Sequence, residues 1–220
     1  MYLEIRPGEG GDDAVQFATE LRTALTAYAT RRGWTATATG PADSRTLTVR
    51  VDGTAANGPL SRFAGSHRIQ RIPINDKRGR RQTSTATVAV LNETEAQPTV
   101  LAGDDLRIDY FRGSGPGGQH RNKTSSAVRL THLPTGIVIT RTSGRSQIAN
   151  LADAKADLQG RLNSLHRGAV HADRDNQRRR QVRSDRAAKT FTHNQQRDEV
   201  VCHDTGRRWT TRAFAQGRLD

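Results

Sequence analysis

The run GSGPGGQHRNKTSSAVR at residues 113–129 decides how the chain is read. Gly113, Gly115, Pro116, Gly117 and Gly118 crowd into its first third, so the segment is neither a helix nor a regular strand. Adjacent Gly117 and Gly118 let the backbone take positive φ and approach a partner with no Cβ in the way. The segment reads as a loop tip carrying one polar side chain, Gln119, followed by His120, Arg121 and Lys123. Such a tip suits contact with another molecule's backbone, and the cations beside it point to a polyanion.

The chemistry available at the tip is narrow. The surrounding sequence offers no Cys–His pair, no Ser–His–Asp order and no HExxH. The glutamine amide does not titrate, so Gln119 is not a general base. It can position a water, while the backbone N–H beside it donates to a developing oxyanion. A lone loop histidine such as His120 reads as a solvent-facing or phosphate-contacting residue. On the residues alone, a functional tip and an ordinary tight turn fit equally well.

The charge is uneven along the 220 residues. Residues 1–110 hold 14 Lys+Arg and 13 Asp+Glu, and residues 111–220 hold 21 and 9, so +1 and +12 make the total of +13. A strongly basic half beside a near-neutral one is the footprint of a nucleic-acid binder. Of the 35 basic residues 31 are Arg, whose planar fork suits phosphates and stacks on bases. A solvated basic surface, or the Arg bias of a GC-rich genome, is the plainer alternative. Mean hydropathy is −0.76, with no run of about 18 apolar residues and no signal-peptide pattern. The lone Cys202 excludes an internal disulfide framework and a cysteine zinc site. The expectation is a cytoplasmic protein without metal or cofactor.

Working outward, alternation marks strands at 2–6, 34–39, 46–51, 83–91, 106–111, 127–132 and 136–142. Asp12 and Asp13 open a helix whose apolar positions Ala14, Phe17, Ala18, Leu21, Leu25 and Tyr28 recur until Gly33. Residues 92–104 read as a linker. A second helix starts at Ser146 with Ile148, Leu151, Leu158, Leu162 and Leu165 on one face. Residues 167–186, with Arg178, Arg179 and Arg180, read as a mobile basic helix extension or linker, the three arginines touching RNA or solvent without base specificity. The fold class is α+β: a mixed or antiparallel sheet-plus-helix domain with an inserted α+β domain and a basic helical extension. The expected division is 1–103 with 185–220, 104–172, and a linker at 173–184. Trp34 and Trp209 read as core residues, and Cys202 as a small buried one.

The whole run resembles the bacterial class I peptide chain release factors. The likeness continues through Asn122, Thr124, Ser126-Ala127-Val128-Arg129, Thr131-His132-Leu133-Pro134-Thr135-Gly136-Ile137 and Arg145-Ser146-Gln147. Upstream, IRPGEGGDDA (5–14), GSHRIQRIP (65–73) and RRQTSTATVAVL (80–91) are similar to that family's codon-reading domain. Downstream, Arg183-Ser184-Asp185-Arg186 with Thr190-Phe191 is similar to the segment that returns to it. Several motifs in one order are far more specific than one tripeptide.

The resemblance implies a reaction and its partners. Gly117, Gly118 and Gln119 would hydrolyse the peptidyl-tRNA ester in the peptidyl transferase centre, with no stand-alone activity. Gly8, Asp13, Gln70, Pro73, Ile74, Asn75, Gln82 and Thr83 would face the codon. Arg112, His120, Arg121, Lys123, Arg145, Arg178, Arg179 and Arg180 would hold RNA. The implied partners are ribosomal RNA, peptidyl-tRNA, an mRNA codon and a glutamine methyltransferase acting on Gln119. The chain itself is expected to be a monomer with no membrane contact.

The departures lie chiefly in the codon-reading motifs. Pro73-Ile74-Asn75 stands where the family has Pro-x-Thr or Ser-Pro-Phe. Gln82 replaces a histidine, and Asp13 a glutamate. Losing the ring forfeits a base-stacking contact worth about 1–3 kcal/mol. Arg121 replaces a valine, and Phe191-Thr192-His193-Asn194-Gln195 replaces Tyr-Asn-Phe-Pro-Gln. The family's N-terminal helical domain is expected to be missing, and the chain ends at Asp220, short of the usual C-terminus. An intact tip beside an altered reading head predicts release under altered codon recognition or in rescue of stalled or damaged ribosomes. Ordinary stop-codon termination and a non-catalytic ribosome-binding regulator are the alternatives.

Overall fold

The computed structural model describes residues 1–40, 45–74, 76, 78–92, 101–113, 123–182 and 189–220. Two compact units divide the chain: Met1–Thr94 with Asp173–Asp220, and Glu95–Ala172.

The first unit is a sheet covered by a helix. Its strands are β1 (Tyr2–Pro7), β2 (Thr35–Thr39), β3 (Leu47–Asp52), β4 (Gly65–Arg71) and β5 (Gln82–Leu91). Alternation along β1 turns Leu3 and Ile5 inward, both fully buried. Helix α1 (Asp12–Arg31) lays Phe17, Leu21, Leu25 and Tyr28 on that face. It ends in a Schellman arrangement: Trp34 N–H donates to Ala29 O at 3.0 Å and Gly33 N–H to Thr30 O at 2.9 Å, with Gly33 at φ 76°. Trp34 then packs edge-on against Tyr28. A short helix, α2 (Asn57–Ser61), buries Leu60 beside them.

The second unit carries β6 (Leu106–Phe111), β7 (Ala127–His132) and β8 (Ile137–Arg141), antiparallel in that order. Helix α3 (Gln147–Gln181) places Ala154, Leu158 and Leu162 against Leu130 and Ile139 of this sheet. Leu101 packs on the same core, which moves the boundary expected at 103 back to Thr94.

The expected linker at 173–184 is corrected in its first part, because α3 continues to Gln181 and its last turns belong to the first unit. Arg178 donates to Glu4 through Nε at 2.7 Å and Nη2 at 2.8 Å, and it also pairs with Asp175. Gln181 holds Val90 by both amide atoms, accepting its N–H and donating to its carbonyl, each at 2.7 Å. One turn earlier, Gln177 accepts Asn92 N–H at 3.0 Å. β4 pairs with β5 only as far as Val88, so Gln181 takes up backbone groups of β5 beyond that pairing and Gln177 one just past the strand's end.

The C-terminal segment completes the sheet with β9 (Phe191–Asn194), β10 (Glu199–Cys202) and β11 (Arg208–Trp209), followed by α4 (Thr211–Ala215). The strand order is β11-β10-β9-β4-β5-β1-β3-β2. β9 runs parallel to β4, with His67 opposite Phe191 and Ile69 opposite His193. Trp209 joins the core and Cys202 is buried and free. Among the described residues no helix is long and apolar enough to cross a membrane.

A histidine pair lies inside this core. His67 stacks on Phe191 at 4.3 Å, and its Nδ1 is 3.1 Å from His193 Nε2. His67 Nε2 faces Phe63 O at 2.9 Å and must donate there, so His67 Nδ1 accepts from His193 Nε2–H. The His67 ring is therefore neutral. Burial lowers His67 to about 4, and burial together with His67 lowers His193 well below the ordinary histidine range. Unfolding restores ordinary values, so this contribution is complete above about pH 6.5 and is lost as pH falls toward 4. We expect neither imidazole to titrate between pH 8 and 5.5 by NMR of the folded protein. Denaturant stability should fall by about 2 kcal/mol between pH 7.5 and 5 from His67 alone. A folded-state midpoint near 6.5 for either ring would contradict the arrangement.

Candidate nucleic-acid interface

The segment PGEGG (7–11) leads β1 into α1 and lies along β5. Gly8 N–H donates to Thr85 O at 2.7 Å, and Thr85 N–H returns to Glu9 O at 2.8 Å. Gly10 sits at φ 128°, and a Cβ there would meet Ser84 Cβ at 2.5 Å. Only glycine allows so close an approach. Gly11 at the N-cap brings no capping side chain, so the first turn of α1 leaves N–H groups and the positive end of the helix dipole facing outward.

Beside that turn opens a cleft of about 380 Å³. Gly10, Asp12, Asp13 and Gln16 form the helix wall. The β4–β5 connection supplies Pro73, Ile74, Asp76, Arg78 and Arg80, with Gln82 at the root of β5. Carboxylates and guanidinium groups thus line one space, together with two amides. Such a lining can meet both the N–H edges of bases and the phosphates between them.

The two walls are braced by one cation. Arg71, at the end of β4, donates to Asp13 Oδ1 at 2.8 Å and to both Glu20 oxygens at 2.8 Å. Its side chain is 8% exposed and that of Asp13 7%. Burial works to lower the guanidinium pKa, but the hydrogen bonds to Glu20 and Asp13 outweigh it and the net direction is up. Asp13 Oδ2 and Arg71 Nη2 are buried without a hydrogen-bond partner among the described residues.

The expected codon-facing residues do not all converge here. Asp13, Pro73, Ile74 and Gln82 line the cleft, with Ile74 86% exposed at its rim. Gln70 and Thr83 are direct cross-strand partners, but they point to the sheet face opposite Ile69 and Ser84. Gly8 packs against Thr85 instead of lining the cleft; Gly10 does so. Asn75 lies outside the described residues. Sequence reasoning missed Gly10, Asp12, Gln16, Asp76, Arg78 and Arg80, together with the braces Arg71 and Glu20. A usable signal was the spacing of Asp13, Gln16 and Glu20, which recurs at helical period off the apolar stripe.

In the second unit, Gly117, Gly118, Gln119, His120 and Arg121 lie outside the described residues, but the stems of their loop do not. Phe111 pairs with Ala127, so residues 112–126 connect two bonded strands. Asn150, fully buried, donates to Ser126 O at 2.7 Å and Gly144 O at 2.9 Å and accepts Gly144 N–H at 2.9 Å. Arg112, Lys123 and Arg145 are exposed, as are Arg179 and Arg180 of the first unit. Arg178 departs from its expected RNA-contacting role, because Glu4 occupies its fork.

The RF-1 domain model matches residues 94–207 and the PCRF domain model residues 1–88. Peptide chain release factor 1 of Acidiphilium cryptum is 45% identical over 207 residues, covering 91% of this chain and 59% of that protein. For the protein of the same name from Methylibium petroleiphilum the identity is 47% over 173 residues, with coverage of 76% and 48%. The solved structure of RF2 of Thermus thermophilus aligns at a TM-score of 0.55 and 35% identity, over 99% of this chain and 64% of that one. The chain therefore spans less than two thirds of the length of each of these proteins.

The brace makes a stability prediction. Arg71→Met should cost about 3–5 kcal/mol in urea denaturation, because it strands the Asp13 carboxylate in a buried position. Arg71→Lys should recover only part of this, lacking the fork that reaches both acids. A loss below about 1 kcal/mol would show that water replaces the guanidinium.

Proposed function

Because the chain belongs to the class I peptide chain release factor family, we propose that it hydrolyses the peptidyl-tRNA ester in the ribosomal peptidyl transferase centre, under altered codon recognition or at stalled or damaged ribosomes. The observation that carries this reading is the RF-1 domain match, whose residues 94–207 contain Gly117-Gly118-Gln119. In the reaction, a water oxygen bonds to the ester carbonyl carbon and the bond to the tRNA ribose oxygen breaks. That oxygen takes one of the water's protons, the other passes to solvent, and the peptide leaves as a carboxylate. Gln119 positions the water and its backbone N–H stabilises the oxyanion, while the ribosome supplies the rest of the site. Ribosomal RNA is met by Arg112, His120, Arg121, Lys123 and Arg145, and Gln119 is the residue a glutamine methyltransferase would modify.

Altered recognition is supported by Gln82, whose amide nitrogen is held 2.8 Å from Asp76 where the family's ring would stand free to stack. Ordinary stop-codon termination is the second reading. It is favoured by the relatives named peptide chain release factor 1.

Release assays on ribosomes carrying each stop codon, a sense codon or a truncated message separate the two. Release confined to stop codons would establish the ordinary reading. Gln119→Ala and Gly118→Ala should lower release by at least about 100-fold while ribosome binding persists. Binding by the unaltered protein with no release in any state would overturn hydrolysis in favour of a ribosome-binding regulator.

A further inference from the structure

Among the described residues of the β4–β5 connection, several gather on one carboxylate. Asp76 has a side chain only 4% exposed, although Ile74, Arg78, Gly79 and Arg80 around it are all exposed. Its backbone N–H donates to Pro73 O at 3.0 Å, and its carbonyl accepts Gly79 N–H at 3.2 Å. Asp76 Oδ1 accepts the backbone N–H of Arg78 at 2.7 Å, Oδ2 accepts Gln82 Nε2 at 2.8 Å, and Arg80 Nε stands 3.4 Å from Oδ2. These donors, Arg78 N–H foremost, hold the carboxyl below its usual range.

The identity of the acceptor matters. An ionised carboxylate only accepts, so Gln82 can meet Asp76 only through its nitrogen. The flipped amide would set Gln82 Oε1 against Asp76 Oδ2, two acceptors in contact. A free glutamine on a cleft wall offers either order of donor and acceptor. This one offers a single order.

We propose that Asp76 is a positioning residue for specificity: by holding Gln82 Nε2 it fixes the order of acceptor and donor that an incoming RNA base meets in the cleft. The inference rests on the proposed reading that the cleft receives a codon. It requires that discrimination between bases, more than overall affinity, depends on Asp76. Asp76→Asn is the sharp test because it keeps the shape but replaces an acceptor-only group with one that also donates, so Gln82 is no longer confined to meeting it through its nitrogen.

The experiment measures dissociation constants for ribosomes that differ only in the codon presented, using the full chain, with a melting temperature for each variant. Asp76→Asn should narrow the spread of affinities across codons by about tenfold. In a Gln82→Met background the same change should narrow it no further, because the amide through which Asp76 acts is gone. Uniform weakening with the spread intact would overturn the inference and leave Asp76 a structural residue. Codon-independent binding by the unaltered protein, or an equal effect of Asp76→Asn in both backgrounds, would also overturn it. Codon-dependent binding that narrows as expected in a protein that never releases peptide would support this inference and refute the proposed hydrolysis.

Discussion

One guanidinium sets the spacing on which the cleft depends. Arg71 leaves the end of β4 and reaches back to Asp13 and Glu20, two turns apart on α1. With burial this deep, neither the cation nor Asp13 is stable alone, so the two elements are held at hydrogen-bond distance. The helix tip and the root of the β4–β5 connection then face each other across a space of about 380 Å³. Gly10 contributes the other half of the constraint by letting the loop touch Ser84. Cleft width thus follows from a buried ion pair on one side and a missing Cβ on the other.

The same logic governs how the C-terminal segments are retained. β9 adds to β4 through parallel pairing, and the neutral His67–His193 contact satisfies polar atoms that the surrounding aromatic core would otherwise penalise. The last turns of α3 use polar side chains as anchors: Gln181 takes backbone groups of β5, Gln177 the N–H of Asn92 just after it, and Arg178 takes Glu4. A run that looks like a nucleic-acid-binding tract by composition therefore spends the first of its three consecutive arginines on a partner within the fold. Arg179 and Arg180, pointing elsewhere on the helix, stay exposed.

Local pattern was a good guide where one face of an element meets a core. Alternation places strands at Leu106–Phe111 and Ala127–His132, which are β6 and β7 residue for residue, and the apolar period of α1 matches its buried face. It was a poor guide at β4 and β9. The inward positions of β4 are His67, Ile69 and Arg71, of which only one is apolar, because the other two are paired with residues far along the chain. The basic run failed as a linker for the same reason, since its partner Glu4 lies at the other end of the sequence.

By itself, then, the sequence determined the α+β class, the glycine-rich run that contains Gln119, and the family to which its ordered motifs belong. These are written in residues adjacent along the chain, where backbone freedom and periodicity act. Only the tertiary structure decided that Gln70 and Thr83 stand on the other face of the sheet from Gln82, that Arg71 braces the cleft, and that Asp76 orients the Gln82 amide. Those outcomes depend on which polar groups become buried together. Desolvation makes such groups find partners, and no local rule names the partner in advance.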